Sequence, residues 1–168
     1  NDGSCNFTPS IGDTYQGGII FNILEQGDLG YVEGEVHGLI AATSDQSTAT
    51  KWGCYGTNIS GADGIYIGTG NQNTIDIYNS PCLAGNDAAD ICYNLSLNGY
   101  DDWFLPSKDE LDKLFLNLDS QGLGDLYNSY YWSSSEFSSN QAWVRNPAGL
   151  STGNKNYSGY YVRAIRAF

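Results

Sequence analysis

Residues 103–115, WFLPSKDELDKLF, carry the strongest local signal in the chain. Ser107 followed three residues later by Glu110 has the spacing of a capping box, in which the serine hydroxyl accepts the Glu N–H and the carboxylate reaches back to the Ser N–H. Leu111, Leu114, Phe115 and Leu118 then recur at i, i+3, i+4 and i+7, the apolar stripe of an amphipathic helix. Pro106 keeps Leu105 extended, so the helix begins sharply. Upstream, residues 86–97 place Ala88, Ile91, Cys92 and Leu95 at helical spacing, with Gly99 as a terminator. The middle of the chain therefore predicts two helices.

Apolar runs flank this pair. GGIIFNIL (residues 17–24) is rich in β-branched and aromatic residues and bounded by turn formers, and residues 37–43 form a second early run. Late strands are expected over residues 130–134 (YYWSS), 142–146 (AWVRN) and 161–168 (YVRAIRAF), joined by Ser/Asn/Gly-rich loops. Strands first, helices in the middle and strands last is an α+β pattern: two helices on a mainly antiparallel sheet. Antiparallel pairing of the first and last apolar runs would bring the termini close together. Residues 44–85 are dense in Gly, Asn, Thr, Ser and Asp. A structureless stretch of that length is unusual in a compact domain, so a series of tight turns pinned by a few buried side chains is expected. Residues 1–11 read as a lead-in or linker, and residues 12–168 as one domain.

The 168 residues hold 19 Asp+Glu against 7 Lys+Arg, a formal charge of −12, which argues against nucleic acid or an anionic membrane as partner. Hydrophobic residues at 40% exclude a disordered chain. No apolar run approaches the roughly 20 residues of a spanning helix, so direct membrane insertion is not expected. A start at Asn1 and the absence of Met fit the end of a longer secreted protein with its export signal upstream. Cys5, Cys54, Cys82 and Cys92 suit an oxidising compartment and allow three pairings. Pairing Cys82 with Cys92 would close a short loop onto a helix and leave Cys5 with Cys54; that pairing is the expectation here.

Several segments together resemble one family. GDTYQGGIIFNIL, HGLIAATSDQST, KWGCYGT, GTGNQNT, NGYDDWFLPSKDELDKLF, YYWSSSE, AW and YVRAIRAF occur in the order seen in the C-terminal domain family of the Legionella collagen-like adhesin, from about Gly12 to Phe168. The resemblance implies a C-type-lectin-like fold of the formylglycine-generating-enzyme subtype, displayed outside the cell as a ligand-binding domain. Members also serve as variable proteins of diversity-generating retroelements, where a stretch ending in a sequence like VRAIRAF is mutagenised. Here Pro147-Ala148 stands where that pattern has a Phe-containing segment.

The residues between Phe137 and Tyr161 suit recognition on their own terms. Phe137, Ser138, Ser139, Asn140, Gln141, Val144 and Asn146 form its first half. Pro147, Ser151, Thr152, Asn154, Asn156, Tyr157, Ser158 and Tyr160 form its second. Paratopes have this composition, because Tyr supplies rigid contact area at low entropy cost while Ser and Asn adapt their hydrogen bonds. On composition alone a pair of exposed polar hairpin loops is the simpler reading, and the resemblance favours a binding face. The expected ligand is a protein or neutral glycan at a bacterial cell surface or in the extracellular medium. A structural or assembly module of a surface filament is the alternative. Oligomeric state is open, a trimer among the options.

Other candidates carry less. His37 has the pKa range of a general base, but a lone His opening an apolar strand is more simply structural. The serine runs lack a Gly-x-Ser-x-Gly elbow and a second His, and the cysteines do not sit where the related enzymes keep their reactive pair, so no catalysis is expected. Asp109 and Glu110 are explained by the helix dipole. Structural calcium is left open and unassigned, with Asp45, Asp63, Asp76 and residues 71–73 as candidate oxygens; no other cofactor is expected. Gly68-Thr-Gly70 reads as a turn. Arg163 and Arg166 lie in the apolar last run, and at least one is expected to pair with Glu136 or an acid of the second helix.

Overall fold

The computed structural model describes residues 8–168. It is an α+β protein with two sheets and three helices among these residues. One sheet has the order β1-β2-β3-β9, from β1 (Thr14–Tyr15), β2 (Gly18–Ile23), β3 (Gly38–Ala41) and β9 (Ile165–Ala167), all antiparallel. The other has the order β4-β8-β5-β6-β7: β4 (Ser47–Thr50), β8 (Tyr160–Val162), β5 (Tyr131–Ser138), β6 (Gln141–Asn146) and β7 (Gly149–Asn154). Its pairings are antiparallel except for a parallel contact of Tyr131 with Tyr161. The helices are α1 (Gly70–Tyr78), α2 (Ala88–Tyr93) and α3 (Lys108–Asn117).

Alternation along β5 splits its side chains between two cores. Trp132 enters a cluster with Ala142, Val144 and Val162 of its own sheet, Ile77 of α1, Ala88, Ala89 and Cys92 of α2, and the loop residues Trp52 and Trp103. The neighbouring Tyr131 enters the second cluster, where Leu111, Leu114, Phe115 and Leu118 pack against Phe21, Leu39, Ala41 and Ile165. The predicted stripe is thus the buried face of α3. Its capping box forms as the spacing requires, the Ser107 hydroxyl accepting from the Glu110 N–H at 3.3 Å and the Glu110 carboxylate from the Ser107 N–H at 2.7 Å.

The last apolar run is two strands, not one. Val162 pairs with Ser47 in the five-stranded sheet and Ile165 with Ala41 in the four-stranded sheet. Between them Arg163 is drawn inward to Asp45 at 2.8 Å and to the carbonyls of Ala42 at 3.0 Å and Gly124 at 2.5 Å. The chain therefore crosses from sheet to sheet at Arg163 and ties them together. Tyr15 of β1 stands edge-to-face on Phe168 at 5.1 Å, which places β1 beside the last residue, but β3 separates the first and last runs, which do not pair directly.

Three further expectations are corrected. Residues 44–85 contain α1, so the described residues hold three helices rather than two. Its buried positions 70, 73, 74 and 77 have helical spacing but are Gly, Asn, Thr and Ile, so no apolar stripe marks it. Residues 149–154 are a strand, β7, not a loop. The disulfide joins Cys54 to Cys82, with Cα atoms 5.1 Å apart, and fastens the loop after β4 to the turn that follows α1. Cys92 is a free thiol buried in the first core, so Cys82 with Cys92 is not the pairing. Cys5 lies outside the described residues, and its pairing with Cys54 is excluded because Cys82 holds that sulfur.

Candidate ligand-binding surface

Strands β5, β6 and β7 form a meander that carries the residues singled out for recognition. Directly opposed residues of neighbouring strands share a face. Register therefore puts Trp132, Val144 and Ser151 on one side, with Glu136, Ala142 and Gly153. Tyr131, Arg145 and Leu150 are on the other, with Trp143 and Thr152, and Gln141 and Asn154. The expected single face is accordingly two patches on opposite sides of one sheet.

The first patch surrounds Phe137. Helix α3 covers one end of its face, where Arg145 lies over the Phe115 ring at 5.1 Å and pairs with Asp112 at 2.6 Å. Beyond the helix, Phe137 stands edge-to-face on Trp143 at 5.2 Å while remaining 53% exposed. The Lys108 ammonium sits 5.3 Å from the Trp143 ring centre. Gln141 and Asn154 lie across the strands beside this pair, with the exposed Asn140 at the β5–β6 turn.

The second patch is phenolic. Tyr160 packs on Trp132 at 4.7 Å, and Tyr130 and Tyr157 flank it at 5.3 and 4.7 Å. Two glycines seat these rings: a Cβ on Gly153 would lie 2.5 Å from the Tyr160 ring, and one on Gly159 would lie 2.5 Å from the Tyr157 hydroxyl. Tyr157 is 54% exposed and Tyr160 half-buried, its hydroxyl pKa raised chiefly by burial and further by Tyr157. Asn156 and Ser158 are exposed beside them, and Ser151 is exposed on the same side.

Several residues expected to contact a ligand also serve the frame. Val144 is fully buried in the first core and is removed from the surface. The Asn146 carboxamide accepts from the N–H of Ala148 and Gly149 at 3.0 and 3.1 Å, shaping the turn at Pro147. Ser138 accepts from Asn140 and Gln141 N–H at 3.3 and 3.2 Å. Asn154 holds the next loop, accepting from Asn156 N–H at 2.9 Å. Ser139 ties the β5–β6 turn to the loop after Cys54 through its carbonyl, which takes the Gly56 N–H at 2.9 Å.

One buried ion pair fixes both patches. Lys155, at the end of β7, is fully buried; its ammonium donates to the Glu136 carboxylate and to the Thr57 carbonyl and lies 4.4 Å from the Trp52 ring centre. Burial lowers the Lys155 pKa while Glu136 works to raise it. Glu136 also accepts the Ile59 N–H, and Lys155 N–H donates to the Asn140 carbonyl at 3.0 Å. Glu136 is therefore the partner of Lys155, not of an arginine. Arg163 pairs with Asp45, and Arg166 with Asp102 through both carboxylate oxygens at 2.6 and 2.7 Å. Hydrogen bonding to Arg166 lowers the Asp102 pKa.

A family model described as the Lcl C-terminal domain matches residues 41–166. The chain belongs to the Lcl C-terminal domain family. No curated protein matches it. In this Lcl C-terminal domain the matched span runs from the end of β3 into β9 and so contains both patches, all three helices and the disulfide. No helix among the described residues is long and apolar enough to cross a membrane.

Three of the remaining candidates, His37, Asp45 and Asp76, have structural partners. His37 bonds the Phe168 carbonyl at 3.1 Å and Glu35 at 2.8 Å; Glu35, then the carbonyl, raises its pKa. Asp45 is taken by Arg163 and by the Tyr131 hydroxyl at 3.0 Å, and Asp76 accepts from Gln72 at 3.0 Å. Among the described residues no three His, Cys, Asp or Glu side chains converge in the manner of a metal site. Sequence reasoning missed Trp143 and Tyr130 as parts of the patches. Their signal was present, since Trp143 alternates with the core residues Ala142 and Val144 and so must face the other way.

Proposed function

We propose that this domain is an extracellular, C-type-lectin-like binding module that recognises a protein or neutral glycan through the aromatic patches of its β5–β7 meander, without catalysis. The observation that carries this reading is the exposure of Phe137 and Tyr157, each more than half accessible, on rings already held in place by Trp143 and by Tyr160 with Gly159. An aromatic ring that is both exposed and immobilised loses little entropy on binding, which is the condition for an interface anchor. Membership of an adhesin-related family supports the same reading.

The charge pattern narrows the ligand class. The four cations of the C-terminal segment are all paired internally, Arg145 with Asp112, Lys155 with Glu136, Arg163 with Asp45 and Arg166 with Asp102. Little positive charge is therefore offered to a sulfated polysaccharide, on a chain of net charge −12. The test is a screen of protein and glycan arrays with the wild type and a Phe137→Ala/Tyr157→Ala variant. A ligand captured by the wild type and lost by the variant is expected; equal capture by both refutes the assigned patches. Diversification by a retroelement would fall on the turn and patch positions while sparing Trp132, Ala142 and Val144. Sequencing sibling loci checks this, with hypervariation confined to residues 137–160 as the expected pattern.

A further inference from the structure

Two cavities adjoin outside the meander. Asn71 of α1 lines both, and the consecutive residues Trp103 and Phe104 line one each, so the two are chambers of one groove. The first, of about 380 Å³, is apolar, lined by Leu24, Leu29, Leu39, Phe104 and Phe168 with His37 among them. The second, of about 350 Å³, is lined by Tyr93, Ser96, Asp101, Asp102 and Trp103. No residue of β5, β6 or β7 lines either chamber. The apolar chamber is preformed. The Leu24 N–H donates to the His37 carbonyl at 2.9 Å and closes the base of the β2–β3 loop, and the Asp28 carboxylate takes the Glu25 N–H at 3.0 Å within it. Gly68 lets this loop lie against the start of α1, since a Cβ there would come 2.5 Å from Leu29. Leu29 is nonetheless 63% exposed. An apolar side chain held in solvent beside a formed cavity is the arrangement of a docking site.

The charges at the groove itself select the occupant. In the second chamber Arg166 engages both oxygens of Asp102, while the exposed Asp101 carboxylate has no partner among the described residues. The exposed Tyr93 ring lines the same chamber and is stacked on Tyr78 at 3.9 Å. A carboxylate with a rigid ring face is a setting for a Lys ammonium or an Arg guanidinium. At the first chamber the Glu35 carboxylate lies 2.8 Å from Nε2 of His37, and the loop that supplies Leu24 and Leu29 carries Glu25, Asp28 and Glu33 besides, with no Lys or Arg. Between the chambers the Asn71 carboxamide is exposed and, among the described residues, bonded to nothing. It offers two donors and an acceptor, the complement of a peptide unit.

We propose that this groove docks a basic peptide segment of a partner protein: an apolar side chain enters the first chamber, a Lys or Arg side chain meets Asp101 in the second, and the Asn71 carboxamide bonds the peptide backbone between them. A sugar would leave the apolar lining of the first chamber unmatched, and a lipid tail would leave the carboxylate of the second desolvated without a partner. The groove is small, so a single segment binds weakly, and affinity grows where the partner presents several.

The test uses the 168-residue chain and a fluorescein-labelled peptide, Gly-Ser-Leu-Lys-Leu-Lys-Leu-Ser-Gly, which presents the two side chains in both orders. Fluorescence anisotropy at about 0.15 M salt should give a Kd of about 10–100 μM. Exchanging the peptide's lysines for Glu, or its leucines for Ser, should weaken binding at least about fivefold. Asp101→Asn and Leu29→Ser, both at exposed positions, should each do the same with an unchanged melting temperature. Asp119→Asn removes an equal charge outside the groove and should bind like the wild type, as should Phe137→Ala/Tyr157→Ala, which separates this site from the aromatic patches. No binding of the Leu/Lys peptide, or full affinity in Asp101→Asn, would overturn the proposal. So would equal binding of the serine-exchanged peptide, which would show attraction to net charge alone, or loss only in the Phe137/Tyr157 variant, which would assign the peptide to the meander.

Discussion

Lys155 follows directly on β7 in a segment rich in Ser, Asn and Tyr, yet its ammonium is buried, bonded to Glu136 and Thr57 and facing Trp52. Removing one partner of a buried pair leaves an uncompensated charge. Lys155→Met should therefore cost about 3–5 kcal/mol in urea unfolding, and adding Glu136→Gln should recover part of it. Glu110 is a second buried charge. Its carboxylate accepts the N–H of Gly68 and of Ser107, both at 2.7 Å, and so bridges the starts of α1 and α3. A Cβ on Gly70 would lie 2.2 Å from that carboxylate, which explains the glycine there. Burial pushes the Glu110 pKa up to about 7, against the opposing pull of these N–H donors. The folded value lies above the unfolded one, so the proton favours folding. The contribution is complete below about pH 4.5 and is lost as pH rises through 7. Thermal melts from pH 5 to 8 should show this decline, and Glu110→Gln should remove that part of the slope.

The meander shows how elements rather than single side chains place the patches. Gly153 lets the Tyr160 ring lie on β7, and a Cβ there would also come within 3.0 Å of Trp132 and Val144. Gly153→Ala should cost about 1–3 kcal/mol and change the near-ultraviolet circular dichroism of the tyrosine cluster, since overpacking forces neighbours off their positions. Legibility in the sequence followed the chemistry of burial. α3 was readable because its buried positions are Leu and Phe behind a capping box, and β2 because its run is apolar. α1 was hidden because Asn73 and Thr74 fill buried positions with hydrogen bonds instead, Asn73 to the Gly64 carbonyl at 2.6 Å and Thr74 to Leu105 at 3.2 Å. β7 was hidden because an edge strand with one open side needs no apolar alternation. Of the candidate site, the segment was legible and its division into two patches was not. That division follows from pairing register, which a single sequence does not fix. Val144 belonged to the core for the same reason.

Across the whole molecule, the frame is cross-braced at a few long-range points: Arg163 between the two sheets, Arg166 to Asp102, and the disulfide from Cys54 to Cys82. Replacing both disulfide cysteines with serine should lower stability by about 2–4 kcal/mol, read from denaturant midpoints, because the bridge restrains a loop of sequence separation 28 in the unfolded chain. Such bracing permits an exterior of Ser, Asn and Tyr without loss of shape. The decisive measurement is the affinity of an array-selected ligand for Phe137→Ala and Tyr157→Ala, each paired with its melting temperature. The account predicts that at least one substitution weakens binding by about 30-fold, the effect of losing a hot-spot residue, with melting unchanged to within about 2 °C. Full affinity in the double variant, or weakening only in step with lost stability, would contradict it.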